Sequence, residues 1–296
     1  MTPLDAETLA AIESLTLDLD PLVTRRPRRP TDQLDQFSDR RHALLARHLG
    51  FTPARPIEPL NVIGDSNTMF FAGAEHLRFI RYARLGLVRP RWINRGFDLL
   101  PCFRTFHVGP STAWKAPEHD SSTRAREKIE LLLRRHLPAG ARVMLSFGEI
   151  DCRIHMARAA LAGKQIDKLV AATAEKYITL PRFIRDLGFP TSLWHVPQII
   201  PRDEDDPEAK LPSVGPIELR NEITYASIEA QREVARREGI PCVAIVGTFH
   251  PPEERMPQDC FHDGVHLSQA VMPHSLRMLG EAGILDLAPS QTGSSS

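Results

Sequence analysis

The chain has 296 residues, 42% of them hydrophobic, enough to build a sizeable core in one large domain, alone or with an extension. Lys plus Arg and Asp plus Glu both number 37, and this balance excludes a global field drawing the protein to nucleic acid or an anionic membrane. No apolar run approaches the roughly 20 residues of a bilayer span, and the N-terminus is acidic and amphipathic, so the cytoplasm is the expected location.

In chain order, the first expected elements are helices over 5–17 and 32–49. The second is opened by Thr31 or Asp32, carries Leu34, Phe37, Leu44, Leu45 and Leu49 on one stripe, and is closed by Gly50. Between them Arg25-Arg26-Pro27-Arg28-Arg29-Pro30 reads as a solvated linker rather than a polyanion site. Residues 1–56 thus form an N-terminal helical extension.

From Pro59 onward, short apolar runs alternate with longer helical patterns, the signature of a parallel sheet with crossover helices. Strands are expected at 60–64, 103–108, 142–147, 192–199 and 241–246. Helices are expected at 121–137, at 152–187 with a kink at Pro181, at 217–238 and at 268–281. Over residues 57–285 this is an α/β fold, a three-layer α/β/α sandwich on a five-stranded parallel sheet of flavodoxin-like type, followed by a disordered tail at 286–296. Ligands of open α/β sheets sit outside the carboxyl ends of the strands, which gathers Ser66, Gly109, Gly148 and His250 on one edge.

The apolar run Asn61-Val62-Ile63 stops at Gly64-Asp65-Ser66, a strand-to-helix turn. A serine hydroxyl needs a base to become a nucleophile, and such a turn exposes Oγ while aiming N–H groups at developing negative charge. Alone, Gly-Asp-Ser reads first as a helix cap, supplied by Asp65 or Ser66, and only second as a nucleophile. Asp263-Gly264-Val265-His266 adds a carboxylate and an imidazole three residues apart, close enough for the carboxylate to orient a ring that takes the Ser66 proton. The other reading is a capping aspartate beside a surface histidine. Cys260, His262 and His266, with His250, match no closed zinc spacing, so neither metal nor cofactor is expected. Cys102, Cys152, Cys242 and Cys260 read as reduced core thiols.

With these two motifs in this order and the five-strand pattern that carries them, residues 57–284 resemble the SGNH, or GDSL-type, hydrolase family. The resemblance implies Ser66 as nucleophile, His266 as base and then acid, and Asp263 as its orienting carboxylate. It also implies oxyanion donors from a glycine after the second strand and an asparagine after the third. Gly109, which ends the run Phe106-His107-Val108, matches that glycine in preference to Gly96. The third block departs from the usual Gly-x-Asn-Asp: Gly148-Glu149-Ile150-Asp151-Cys152-Arg153 marks an atypical branch and puts Ile150, without a side-chain donor, at the asparagine position. Losing one such donor typically costs about 3 kcal/mol of transition-state stabilisation.

Arg153 offers fixed donors as a replacement, and an ion pair with Asp151 or Glu149 is its other reading. Glu149, an acceptor when ionised, reads as a contact for a substrate hydroxyl or ammonium, or as the partner of Arg153. Trp114 reads as a core aromatic, with a stacking face for a sugar or an acyl wall as the alternative, and His155 as a helix-surface residue. The acidic stretch Asp203-Glu204-Asp205-Asp206 reads as a solvated loop. The expected activity is hydrolysis of small acyl, chiefly acetyl, esters, including those of carbohydrates, with a small-molecule ester as the partner and neither nucleic acid nor membrane. The same triad serves an O-acyltransferase, and the same fold without catalysis serves a carbohydrate- or protein-binding module.

Overall fold

The structure, a computed structural model, describes residues 51–52, 58–73, 79–88, 91–96, 100, 102–195, 213–245, 260–261, 265–285 and 288–289. The helices expected over 5–17 and 32–49, the 203–206 loop, His250, His262 and Asp263 lie outside the described residues.

The strands are β1 (Phe51–Thr52), β2 (Leu60–Gly64), β3 (Phe79–Leu85), β4 (Arg91–Gly96), β5 (Phe103–His107), β6 (Val143–Ser146), β7 (Thr191–His195), β8 (Cys242–Ala244) and β9 (Ala288–Pro289). The helices are α1 (Met69–Ala72), α2 (Ala125–Arg135), α3 (Ala157–Leu161), α4 (Ile166–Tyr177), α5 (Thr179–Asp186), α6 (Ile217–Arg237) and α7 (Met272–Glu281). Among the described residues, no helix is long and apolar enough to cross a membrane.

The expected strands pair in parallel in the order β5-β2-β6-β7-β8. The sheet has seven strands rather than five, because β3 and β4 add an antiparallel hairpin beyond β5. Only Ala83 and Ile93 of that hairpin are buried among its described side chains, while Arg81 and Arg95 lie over the rings of Trp92 and Tyr82. β1 and β9 pair antiparallel as a separate two-stranded ladder, which draws Ala288–Pro289 out of the expected tail.

Alternation along the strands builds the three layers. Leu60 and Val62 of β2, Met144 of β6 and Trp194 of β7 share one core with Phe70 and Phe71 of α1 and with Met272, Leu276 and Leu279 of α7. Their neighbours Ile63, Val143, Leu145 and Leu193 face the other core, against Ile129, Leu132 and Leu133 of α2, Tyr177 of α4, and Leu180 and Ile184 of α5.

The single helix expected over 152–187 is instead a π-helical turn, Asp151–Met156, followed by α3, α4 and α5. The chain breaks at Gly163 and again at Ile178, so Pro181 stands in the first turn of α5, where the missing N–H costs no helical bond. From β2 the chain goes first to the β3–β5 side of the sheet and then crosses to β6 on the other side. This change of direction makes the carboxyl ends of β5, β2 and β6 the switch point, the place where such sheets hold ligands.

Candidate active site

Gly64 ends β2 where no side chain fits: a Cβ there would stand 2.0 Å from the Ser146 carbonyl oxygen of β6. The close approach lets the Asp65 N–H donate to that oxygen at 3.3 Å, and the chain then turns sharply through Ser66–Thr68. Asp65 caps this turn, its Oδ1 accepting from the Asn67 N–H at 2.9 Å and from Asn67 Nδ2 at 3.1 Å. Thr68 Oγ1 adds a bond of 2.9 Å to the Asp65 carbonyl. The capping role therefore belongs to Asp65, and the half-buried Ser66 hydroxyl is left for other work.

His266 reaches it from 200 residues further along, with Nε2 placed 2.8 Å from Ser66 Oγ. The segment carrying His266 is fastened by a bridge between Phe261 and Leu267 and by the Ser268 N–H on the Cys260 carbonyl at 2.8 Å. Buried Gln269 ties it to the serine side of the site, donating from Nε2 to the Phe70 carbonyl of α1 at 2.8 Å. Gln269 had no sequence signal, because a glutamine at a helix start reads as an ordinary surface residue.

Gly109 follows β5, with φ at +111°, in the region that favours glycine. The Val108 N–H donates to the Gly64 carbonyl at 2.9 Å, so this segment runs on beside the serine turn. Neither the Ser66 nor the Gly109 N–H has an acceptor among the described residues. Gly96, the alternative glycine, is a packing residue, since a Cβ there would meet Thr105 Oγ1 at 2.2 Å.

In the third block, Glu149 and Arg153 form a buried pair, Nε donating to Oε1 and Nη2 to Oε2 at 3.1 Å. Asp151 does separate work: its Oδ2 accepts from the Ala113 N–H at 2.6 Å and its Oδ1 from the Trp114 N–H at 3.3 Å, pinning the loop after Gly109. Burial pushes the Asp65 carboxyl up to about 7, helped by Glu149 and opposed by the Asn67 hydrogen bonds and His266. Burial likewise raises Asp151 to about 7 despite its two N–H donors, with the charge of Asp65 adding to the rise. Burial, then Lys128 and His266, push His107 down to about 4.

A cavity of about 960 Å³ opens beside this edge, with Pro110, Ser111, Trp114, Ile150, His155 and Lys168 on its walls. Trp114 is 37% exposed there rather than in the core, with Lys176 Nζ 3.9 Å from its ring centroid.

No protein-family model and no curated protein matches the chain. Among solved structures it is similar to the inhibitor-bound M. Smegmatis aryl esterase, at 14% identity over 74% of this chain and 98% of that one, with a TM-score of 0.42. It is also similar to a GDSL-like lipase from Bacteroides thetaiotaomicron VPI-5482, at 12% identity over 83% and 97% of the two chains, with a TM-score of 0.41. A third is phospholipase A1 from Streptomyces albidoflavus NA297, at 11% identity over 76% and 99%, with a TM-score of 0.36. At these identities and scores, the reading of the site rests on this chain's own geometry.

Proposed function

We propose that this chain is a serine-dependent ester hydrolase acting on small acyl esters, acetyl esters foremost. The observation that carries the reading is the 2.8 Å approach of His266 Nε2 to Ser66 Oγ at the switch point of a parallel sheet. Ser66 attacks the acyl carbonyl while His266 takes its proton, and His266 then protonates the departing alcohol. Asp263, three residues before His266, is assigned the orienting role on spacing alone. The N–H groups of Ser66 and Gly109 hold the oxyanion, a role supported by their lack of other acceptors among the described residues. Water completes the cycle by releasing the acid. The cavity begins at Pro110, one residue after Gly109, and is assigned to the alcohol half of the ester on that adjacency, since Ser66, Gly109 and His266 are not on its walls.

Ser66→Ala is expected to lower turnover of an activated acetyl ester by at least about a thousandfold with an unchanged circular dichroism spectrum. A serine-directed phosphonate should label the native chain and not the variant. Ile150 favours a second reading, a binding module of the same fold, because it offers no donor at the oxyanion. Folded native protein that neither turns over esters nor takes the label would establish that reading instead.

A further inference from the structure

Lys128 lies on the buried face of α2, and its side chain is enclosed with those of Ile129 and Leu132. Its ammonium donates to the Val108 carbonyl and has no carboxylate bound to it among the described residues. Burying a charge against a single carbonyl is expensive for the fold, and buried cations are ordinarily paired. The position of that carbonyl suggests a use. Val108 C=O and Gly109 N–H are two ends of one peptide group, which is planar and trans, so the N–H points away from the ammonium along the same dipole. A cation on the oxygen draws electron density from the nitrogen, strengthens the N–H as a donor and fixes the plane in which it points.

The rest of the segment is held to match. The Val108 N–H is fastened to the Gly64 carbonyl at 2.9 Å, and the Gly109 backbone is packed over Lys128 and Thr123, where an added Cβ would stand 3.6 Å from Nζ. We propose that Lys128 is a positioning residue for the oxyanion hole: its bond to the Val108 carbonyl orients and polarises the Gly109 N–H, supplying stabilisation that Ile150 cannot. This rests on the assignment of Ser66 as nucleophile and Gly109 as oxyanion donor.

Burial, with the charge of Arg91 on β4, lowers the Lys128 ammonium to about 8, against the favourable charge of Glu127 on its own helix. His107, which faces it from the end of β5, titrates near 4 and is neutral throughout the window concerned. Below about pH 8 the lysine is charged and the Gly109 N–H polarised, and above it both effects fade. The native enzyme should therefore lose kcat as pH rises through about 8, with KM little changed.

The test measures kcat and KM for an activated acetyl ester between pH 6 and 10 in the native chain, Lys128→Arg and Lys128→Met. Lys128→Met should lower kcat about 10- to 100-fold at pH 7, keep KM within about twofold and lack the alkaline fall. Lys128→Arg, permanently charged, should keep most of kcat and extend its plateau above pH 9. An unchanged kcat in Lys128→Met, or an alkaline fall shared by all three proteins, overturns the proposal. If Lys128→Met does not fold, the native and arginine profiles decide it, since coinciding profiles overturn the proposal and a plateau extended only in Lys128→Arg supports it. Phosphonate labelling of Ser66 separates this from failure of the parent reading, because a native chain that labels and turns over has a working nucleophile whatever Lys128 does.

Discussion

At the scale of single residues, the decisive geometry is one imidazole nitrogen on one hydroxyl, and His266→Gln isolates it. The amide can still occupy the space beside Ser66 Oγ, but it cannot take up and return a proton. Turnover of an acetyl ester should fall about a thousandfold or more, with a KM close to native, in steady-state kinetics; a loss below tenfold would remove His266 from the mechanism. Ser66 and His266 were legible in the sequence because each sits in a short motif whose chemistry demands a partner. Lys128 was not, since a lysine in the amphipathic run Arg126-Glu127-Lys128-Ile129 reads as a solvated face until the Val108 carbonyl is seen beside it. Arg153, read as a candidate oxyanion donor or as an ion-pair partner, is joined to Glu149 in the structure. Spacing allowed that pair without choosing it over Asp151, which turns out to be engaged by the Ala113 and Trp114 N–H groups.

At the scale of elements, the passage from β2 into the Ser66 turn depends on how closely β2 and β6 approach. Gly64→Ala would drive a methyl group into the Ser146 carbonyl, a backbone atom that cannot swing aside. The expected cost is about 1–3 kcal/mol or more of stability, read as a lower midpoint of denaturant unfolding, together with lost turnover as the Ser66 turn shifts. An unchanged midpoint would mean the two strands are not so tightly joined. The five parallel strands were legible because β2, β6 and β7 are short runs buried on both faces and β5 and β8 keep an apolar majority of buried positions, although β5 carries the exposed Arg104. The β3–β4 hairpin was not: Phe79–Leu85 and Arg91–Gly96 mix arginines with apolar residues at the sheet edge, where burial on one side leaves only a weak pattern. The π-helical turn at Asp151–Met156 has no sequence period of its own, so the run that carries it reads as ordinary helix.

At the scale of the whole molecule, a chain with zero formal net charge concentrates carboxyl groups behind its switch point. Asp65, Glu149 and Asp151 are all buried there, with Arg153 joined to Glu149. Asp65 Oδ2 is buried with no hydrogen-bond partner among the described residues, so ionisation of this carboxyl works against the fold. Its pKa rises from 3.8 to about 7 on folding, chiefly through burial. The folded state thus holds a proton that the unfolded state gives up, so the contribution of Asp65 is fully present below pH 3.8 and is lost as pH rises through about 7. Asp65→Asn keeps an oxygen for the Asn67 donors and cannot ionise, so it escapes that loss. Relative to the native chain, the variant should gain about 1.4 kcal/mol or more in unfolding free energy between pH 5 and pH 8, measured by urea titration at each pH. A native-to-variant difference that stays constant across that range would mean that Asp65 is ionised in the folded protein throughout. In that event the buried oxygen of the residue before Ser66 carries a charge, and the electrostatics of the Ser66 turn must be balanced by something other than a proton.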